Sequence, residues 1–388
     1  MRIVHKLPAP TDEENAQAHE DLRKLASEGL GRLLAADKGF FAARSAAEVM
    51  AQLDWEIEWV VRNRMASKYL LLRDIILHAE QNGIPVSVGY ERMGNTLLAY
   101  TILGISKLNP YRYDLVIDRS SHFISELGIC VSADRCGELI RYVKDTYDYD
   151  GNTCTLDLVE LPALDLLQGV LNRVKHKCDA ELFWESVSLD DKDTFDLLGR
   201  GDTEGVYQLG SEEARRGLRD WSPASLNELV DFIALNRIEP WGLISQALIR
   251  RKGGNAVPRV DQIFASLTDD TYGILIYQEQ LIRAIMVLAG YSGDESAHLR
   301  RIMCGKLLSK VEEACGKFIG CCMIKSGVTE DRARALFYHL EAHSAYTTNK
   351  AYYVEHGLLT YRMAYLKAHW RDEFEAEARC RNKKGIVK

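Results

Sequence analysis

Proline is scarce, 8 residues in 388, and neither an internal repeat nor a low-complexity segment interrupts the chain, which sets aside solenoid and disordered architectures. No window approaches the ~18 uninterrupted apolar residues of a membrane-spanning helix. Met1-Arg-Ile-Val-His-Lys-Leu-Pro8 lacks the apolar core of a secretory signal. Paired cysteines are also missing. The nine Cys (Cys130, Cys136, Cys154, Cys178, Cys304, Cys315, Cys321, Cys322 and Cys380) contain no Cys-x-x-Cys, which suits reduced thiols better than a disulfide framework or a zinc ribbon. A cytoplasmic protein without a membrane partner is the resulting expectation. Positive charge is not in excess either: 49 Lys and Arg face 56 Asp and Glu, for a formal net charge of −7. A surface that grips phosphates everywhere is excluded, while a local basic groove is not.

What is present is an ordinary globular composition, 47% hydrophobic and 27% charged, with length for two or three compact units. Basic residues gather at Arg250-Arg251-Lys252, at Arg300-Arg301 with Lys306 and Lys310, and at Arg379, Arg381, Lys383, Lys384 and Lys388. Each collection also suits a solvated helix face. Lys175-His176-Lys177-Cys178 sets one imidazole beside one thiol, a sparse metal candidate with the same bland alternative.

Thr11-Asp-Glu-Glu14 has the capping-box pattern, and Leu22, Leu25, Leu30, Leu33 and Leu34 follow at near-helical spacing, so the first sixty or so residues are expected to be helical. Helical patterning from Trp55 to Gln81 stops at Asn82-Gly83. Strands are expected at Ile84–Val88, Tyr113–Ile117, Leu127–Val131 and Thr155–Leu161, with helices over Thr96–Leu103 and Asp134–Asp145. Beyond about Asp190 nearly everything reads as helix. Ser222-Pro223 is expected to open one helix, Ser292-Gly-Asp-Glu295 another, and Gly327 and Thr329 to separate two more. The fold class is therefore α/β, a small sheet with flanking helices followed by a mostly helical domain. The expected units are a helical segment over 1–68, a sheet domain over 69–190 and a helical domain over 191–388.

Thr271-Tyr-Gly-Ile-Leu-Ile-Tyr-Gln-Glu-Gln280, Leu288-Ala-Gly-Tyr-Ser292 and Leu299-Arg-Arg-Ile-Met303 resemble the fingers of the bacterial DNA polymerase III alpha subunits, the C family of DNA polymerases. The likeness continues through Gly201-Asp-Thr-Glu-Gly-Val-Tyr-Gln208, Ala234-Leu-Asn-Arg237, Asn349-Lys350 and Tyr365-Leu-Lys-Ala-His369. Residues 69–100 and Asn109-Pro-Tyr-Arg-Tyr-Asp114 resemble the palm. The resemblance implies a palm of nucleotidyltransferase type over 69–190 and fingers over 191–388. It also implies parts this chain lacks the length to supply: a phosphoesterase-like domain and the regions that bind the clamp and clamp loader. A thumb should follow the helix ending near Tyr147, yet only Tyr149 to Cys154 stand between Asp148 and the next matching strand.

Polymerase chemistry by this family uses two metal ions. At roughly 4 Å and an effective dielectric of about 20 their repulsion is on the order of 15 kcal/mol, which carboxylates must offset. The resemblance places an Asp-x-Asp pair where this chain has Gly128 and Cys130, and a third Asp at Asp157. Asp157 is then a vestigial catalytic and metal position for Mg²⁺, which takes hard oxygen ligands rather than thiols. Glu126 shares a strand face with Gly128 but lies roughly 6.6 to 13 Å from the two lost positions at about 3.3 Å per residue. The family's Gly-Arg-Gly-Ser turn becomes Gly89-Tyr90-Glu91-Arg92, its Arg-Pro-Gly-Pro becomes Arg237-Ile-Glu-Pro240, and its Asn-Lys-Ser-His becomes Asn349-Lys-Ala-Tyr352. Phosphate or nucleotide contacts are accordingly expected at Arg92, Arg237, Arg300, Arg301, Lys306, Asn349 and Lys350. The first expectation is a polymerase-like pseudoenzyme that binds DNA, nucleotide or a replication protein. The alternatives are an active nucleotidyltransferase with an unusual or partner-completed metal site, and a protein-interaction scaffold without nucleic acid.

Overall fold

The computed structural model describes residues 2–7, 11–36, 44–87, 96–102, 106–115, 127–147, 154–178, 182, 184–237, 242–253, 266–305 and 308–383. Its first half alternates short strands and helices: β1 (Arg2–Leu7), α1 (Asp12–Ala36), α2 (Ala46–Arg62), α3 (Ala66–Gln81), β2 (Val86–Ser87), α4 (Leu97–Thr101), β3 (Leu127–Val131), α5 (Cys136–Thr146), β4 (Cys154–Glu160) and α6 (Pro162–Cys178). The rest is helical: α7 (Lys192–Gly199), α8 (Glu212–Trp221), α9 (Leu226–Arg237), α10 (Gly242–Arg251), α11 (Gln278–Ala289), α12 (Gly293–Gly305), α13 (Leu308–Ser326), α14 (Glu330–Ser344), α15 (Lys350–His369) and α16 (Arg371–Lys383). The arrangement is mostly helical with a small sheet, within the expected α/β class. No described helix is long and apolar enough to cross a membrane.

Local signals act where they were expected to. Thr11 and Glu14 exchange both capping-box bonds, at 2.7 and 3.2 Å, as do Ser292 and Glu295 at 3.0 and 3.2 Å. Gly83 ends α3 at φ +62°, in the left-handed region that glycine enters without a Cβ penalty. Three expectations fail. Arg2–Leu7 is a strand, because it pairs antiparallel with β4, about a hundred and fifty residues away, and local pattern carries no trace of that partner. Tyr113 and Asp114 lie in a turn, since Asn109 Oδ1 accepts from the backbone N–H groups of Tyr111 and Arg112 and tightens the chain ahead of them. Ser222 does not open a helix: at φ +47° it closes α8, and Ser225 Oγ instead accepts from Glu228 N at the start of α9.

The sheet order is β1-β4-β3-β2, with β3 and β4 parallel and both outer strands antiparallel to their neighbours. Alternation gives it two faces. Ile129, Val131 and Leu158 point into a core built with α1 to α5. Cys130 points the other way, into a core shared with Leu164 and Val170 of α6, Phe232 of α9 and Tyr353 of α15. A third core, around Phe318 and Phe337, joins α11 to α14.

Glu56, fully enclosed in the first core, accepts from Leu98 N at 2.7 Å and from Gln52 Nε2 at 3.0 Å. Burial pushes its carboxyl up to about 7, against the opposing pull of those two donors. The folded state then holds a proton that the unfolded chain releases near 4.5. Stability is highest below that value, falls as pH rises to about 7 and is flat above, by on the order of 3 kcal/mol for this one group. Glu56→Gln should raise the urea midpoint at pH 8 and flatten part of the slope between pH 5 and 7. An unchanged slope in the variant would contradict this assignment.

Candidate functional site

Asp157 sits in the middle of the sheet, opposite Gly128 on β3 and Val4 on β1. Cys130 and Val159, the register pair two residues further on, share its face. That face is covered. Asp157 is 2% exposed and Cys130 likewise 2%. Burial, reinforced by the negative Glu355 of α15, pushes the Cys130 thiol up to about 12, so it stays protonated. Glu355 Oε1 accepts from Ser87 Oγ at 2.8 Å, and Ser87 is the register partner of Cys130. A carboxylate from the helical half therefore reaches the strand edge of the sheet.

A second tie closes the same junction. On α16, Glu377 pairs with Arg173 at 2.8 Å and Glu373 pairs with Lys177. Arg381 reaches Asp134 at 3.0 Å, just beyond β3. Lys177 of the Lys175–Cys178 run is thus engaged in an ion pair. Among the described residues no three His, Cys, Asp or Glu groups converge as metal ligands.

The expected phosphate contacts divide. Arg92 and Lys306, like Glu126, lie outside the described residues. Two others, Arg300 and Arg237, touch the segment 347–352 at the head of α15, which itself carries Asn349 and Lys350. Arg300 Nη2 donates to the Thr347 carbonyl at 3.2 Å, and burial holds its pKa below the usual arginine value. The exposed Arg237 guanidinium lies 5.0 Å over the Tyr352 ring. Lys350 Nζ lies 5.7 Å from the Tyr277 ring. Arg301, one residue on from Arg300 and hence about 100° round the helix, turns into a separate 340 Å³ recess with Tyr291, His298 and Lys317.

Asn349 is the N-cap of α15, its Oδ1 accepting from Tyr352 N at 2.7 Å. Asn349→Ala should lower stability by ~1 kcal/mol, within the usual 0.5–2 for a lost cap, and Asn349→Asp should largely preserve it. Equal chemical-denaturation midpoints for the Ala variant and the parent would show that the cap contributes nothing. Lys350 borders a 270 Å³ recess that also holds Asp114, Asp269, Asp270, Glu279 and Arg283, a mixed rim in which carboxylates outnumber cations. Below it Tyr277 donates to Asp231 at 2.5 Å. Burial pushes Asp231 up to about 7, and the Tyr277 bond and Lys350 charge hold it back.

Two family models match successive stretches: the bacterial DNA polymerase III alpha NTPase domain over residues 20–157, and the bacterial DNA polymerase III alpha subunit finger domain over residues 163–324. This chain is a partial relative of the bacterial DNA polymerase III alpha subunits. Curated DNA polymerase III alpha subunits agree. That of Thermus aquaticus is 31% identical over 265 residues, 64% of this chain and 22% of the relative. That of Chlamydia pneumoniae is 29% identical over 263 residues, 67% and 21%, and that of Mycobacterium leprae 32% over 227 residues, 57% and 19%. The chain spans about a fifth of these relatives' length.

Within this polymerase III alpha relative, several motifs that carry the likeness are spent on architecture. Lys367, with 4% of its side chain exposed, donates to the Glu204 carbonyl at 2.9 Å and pairs with Asp202 at 3.3 Å. Arg371 also pairs with Asp202. Gly201 takes φ +65°, and a Cβ there would stand 2.4 Å from the Arg215 carbonyl oxygen. Thr203 Oγ1 closes the loop onto the Leu209 carbonyl at 2.7 Å. The segment Gly201–Gln208 is therefore pinned by α8, α15 and α16. Sequence reading missed Glu355, Lys367 and Asp231 as organising groups. Only the Lys and the loop had a signal, because both sat inside matching motifs.

Proposed function

We propose that the sheet domain is a polymerase palm that has lost catalysis, and that the chain serves as a binding module for DNA or nucleotide through its fingers. The observation that carries this reading is the covered sheet face. Among the described residues Asp157 is the one strand carboxylate on it, Gly128 and Cys130 stand where the resemblance expects two more, all three are buried, and the helical half packs against Cys130.

Two Mg²⁺ ions held close together need several hard, anionic oxygens. A protonated thiol is no substitute, and one enclosed carboxylate cannot offset the charge of such a pair. Among the described residues the donors on this face do not fit a two-metal site.

What this arrangement can still do is hold polyanions. Arg237 and Arg301 carry exposed guanidinium groups on separate helices, and a planar guanidinium grips a phosphate with two hydrogen bonds. Phosphate contacts of this kind give sequence-independent, salt-sensitive affinity. Fluorescence anisotropy of labelled single-stranded and duplex DNA across a salt series tests the reading. Arg237→Ala and Arg301→Ala should each weaken binding and lower the salt slope by about 1. Absence of salt-dependent binding would shift the reading to a scaffold for a replication protein.

A further inference from the structure

Far from the covered sheet face, α14 carries His339 and His343 one helical turn apart, a spacing that places both rings on one side of the helix. Their ring centroids are 4.5 Å apart with planes tilted by 45°. His343 Nδ1 lies 2.8 Å from the His339 carbonyl oxygen, where the ring nitrogen donates. That bond fixes the tautomer and leaves Nε2 of His343 as the nitrogen with the lone pair. Both residues are partly exposed.

We propose that His339 and His343 form a bidentate clamp for a borderline divalent transition ion of the Ni²⁺, Cu²⁺ or Zn²⁺ class. Paired histidines at i and i+4 are a familiar way for a helix to present two nitrogens to one ion. No third His, Cys, Asp or Glu converges there among the described residues, so water completes the shell. Imidazole selects these ions over Mg²⁺, which takes oxygen ligands. The clamp is thus chemically distinct from anything a polymerase palm would hold, and it does not depend on the reading of that palm. Bridging successive turns also stiffens the end of α14, where Cys304 Sγ donates to the Ser344 carbonyl at 3.0 Å and the chain runs on to Thr347, the acceptor of Arg300.

Isothermal titration of the full chain with Ni²⁺ tests this, with Mg²⁺ run in parallel. One saturable Ni²⁺ site is expected, accompanied by a rise in Tm. His339→Asn and His343→Asn should each weaken it by roughly 100-fold, since a chelate becomes a single contact. A background carrying Cys178→Ser and Cys380→Ser, which removes two exposed thiols, should leave it unchanged. Failure of Ni²⁺ to bind, or a site that survives either His substitution, overturns the clamp. Should a variant fold poorly, paramagnetic broadening in the parent chain decides: Ni²⁺ should first broaden the assigned ring resonances of His339 and His343 among its ten histidines. Broadening elsewhere first overturns it.

Discussion

Cys130→Asp, which writes back one of the lost polymerase carboxylates, should lower stability by ~3–5 kcal/mol and restore no nucleotide incorporation. The thiol is 2% exposed on a sheet face shared with the helical half of the molecule. An aspartate placed there loses water and meets Glu355, already engaged by Ser87. Two like charges some 5 Å apart repel by about 3 kcal/mol at an effective dielectric of 20, before desolvation is added. The penalty should shrink as pH falls toward 5, because the new carboxyl can then accept a proton and its folded-state pKa is raised above the unfolded value. Cys130→Ser, which adds a hydroxyl without charge, should cost far less. Urea midpoints of the three proteins at pH 8 and pH 5 check this. A Cys130→Asp protein within 0.5 kcal/mol of the parent, roughly the scatter for surface changes, would mean that water reaches the face.

Lys367→Met should cost about 3 kcal/mol, the range for removing one partner of a mostly buried pair. Methionine fills the same channel beside Phe374, whose ring lies 5.8 Å from the ammonium. It leaves the Glu204 carbonyl without its donor and Asp202 with Arg371 alone. Burial alone would raise the Asp202 pKa, but the bond from Arg371 and the charge of Lys367 outweigh it and hold it below the ordinary aspartate value. A depressed folded pKa stabilises above the unfolded value and fades as pH falls through the folded one. Lys367→Met should therefore soften the acid limb of the stability curve, below pH ~4, as well as lower its plateau. Denaturant titrations from pH 3 to 8 report both effects. A plateau equal to that of the parent would show that the Gly201–Gln208 loop is held by something else.

The parts of the fold legible in the sequence are those decided within a few residues. Capping boxes at Thr11 and Ser292, the glycine stop at Gly83 and the strand Leu127–Val131 depend on neighbours, and they form as read. What the sequence concealed is decided at a distance. β1 exists because β4 offers it a ladder, and Ser222 adopts a left-handed turn that its Pro neighbour disguises as a helix start. The same division runs through the site. That Asp157 faces Gly128 follows from strand alternation and register. That α15 meets this face beside Cys130 follows from Glu355 reaching Ser87 across 268 positions of sequence, which no local pattern announces. Adjacency in sequence groups Arg300 and Arg301 in one basic collection, yet consecutive helical residues diverge, one toward Thr347 and the other toward Tyr291.

The most direct test is primer extension by the full chain on a primed template, with Mg²⁺ and then Mn²⁺, beside the Asp157→Asn variant. With its sheet face enclosed and two expected carboxylates replaced by Gly128 and Cys130, the parent should incorporate nothing above the level of the variant. Templated incorporation by the parent that Asp157→Asn abolishes would contradict the account.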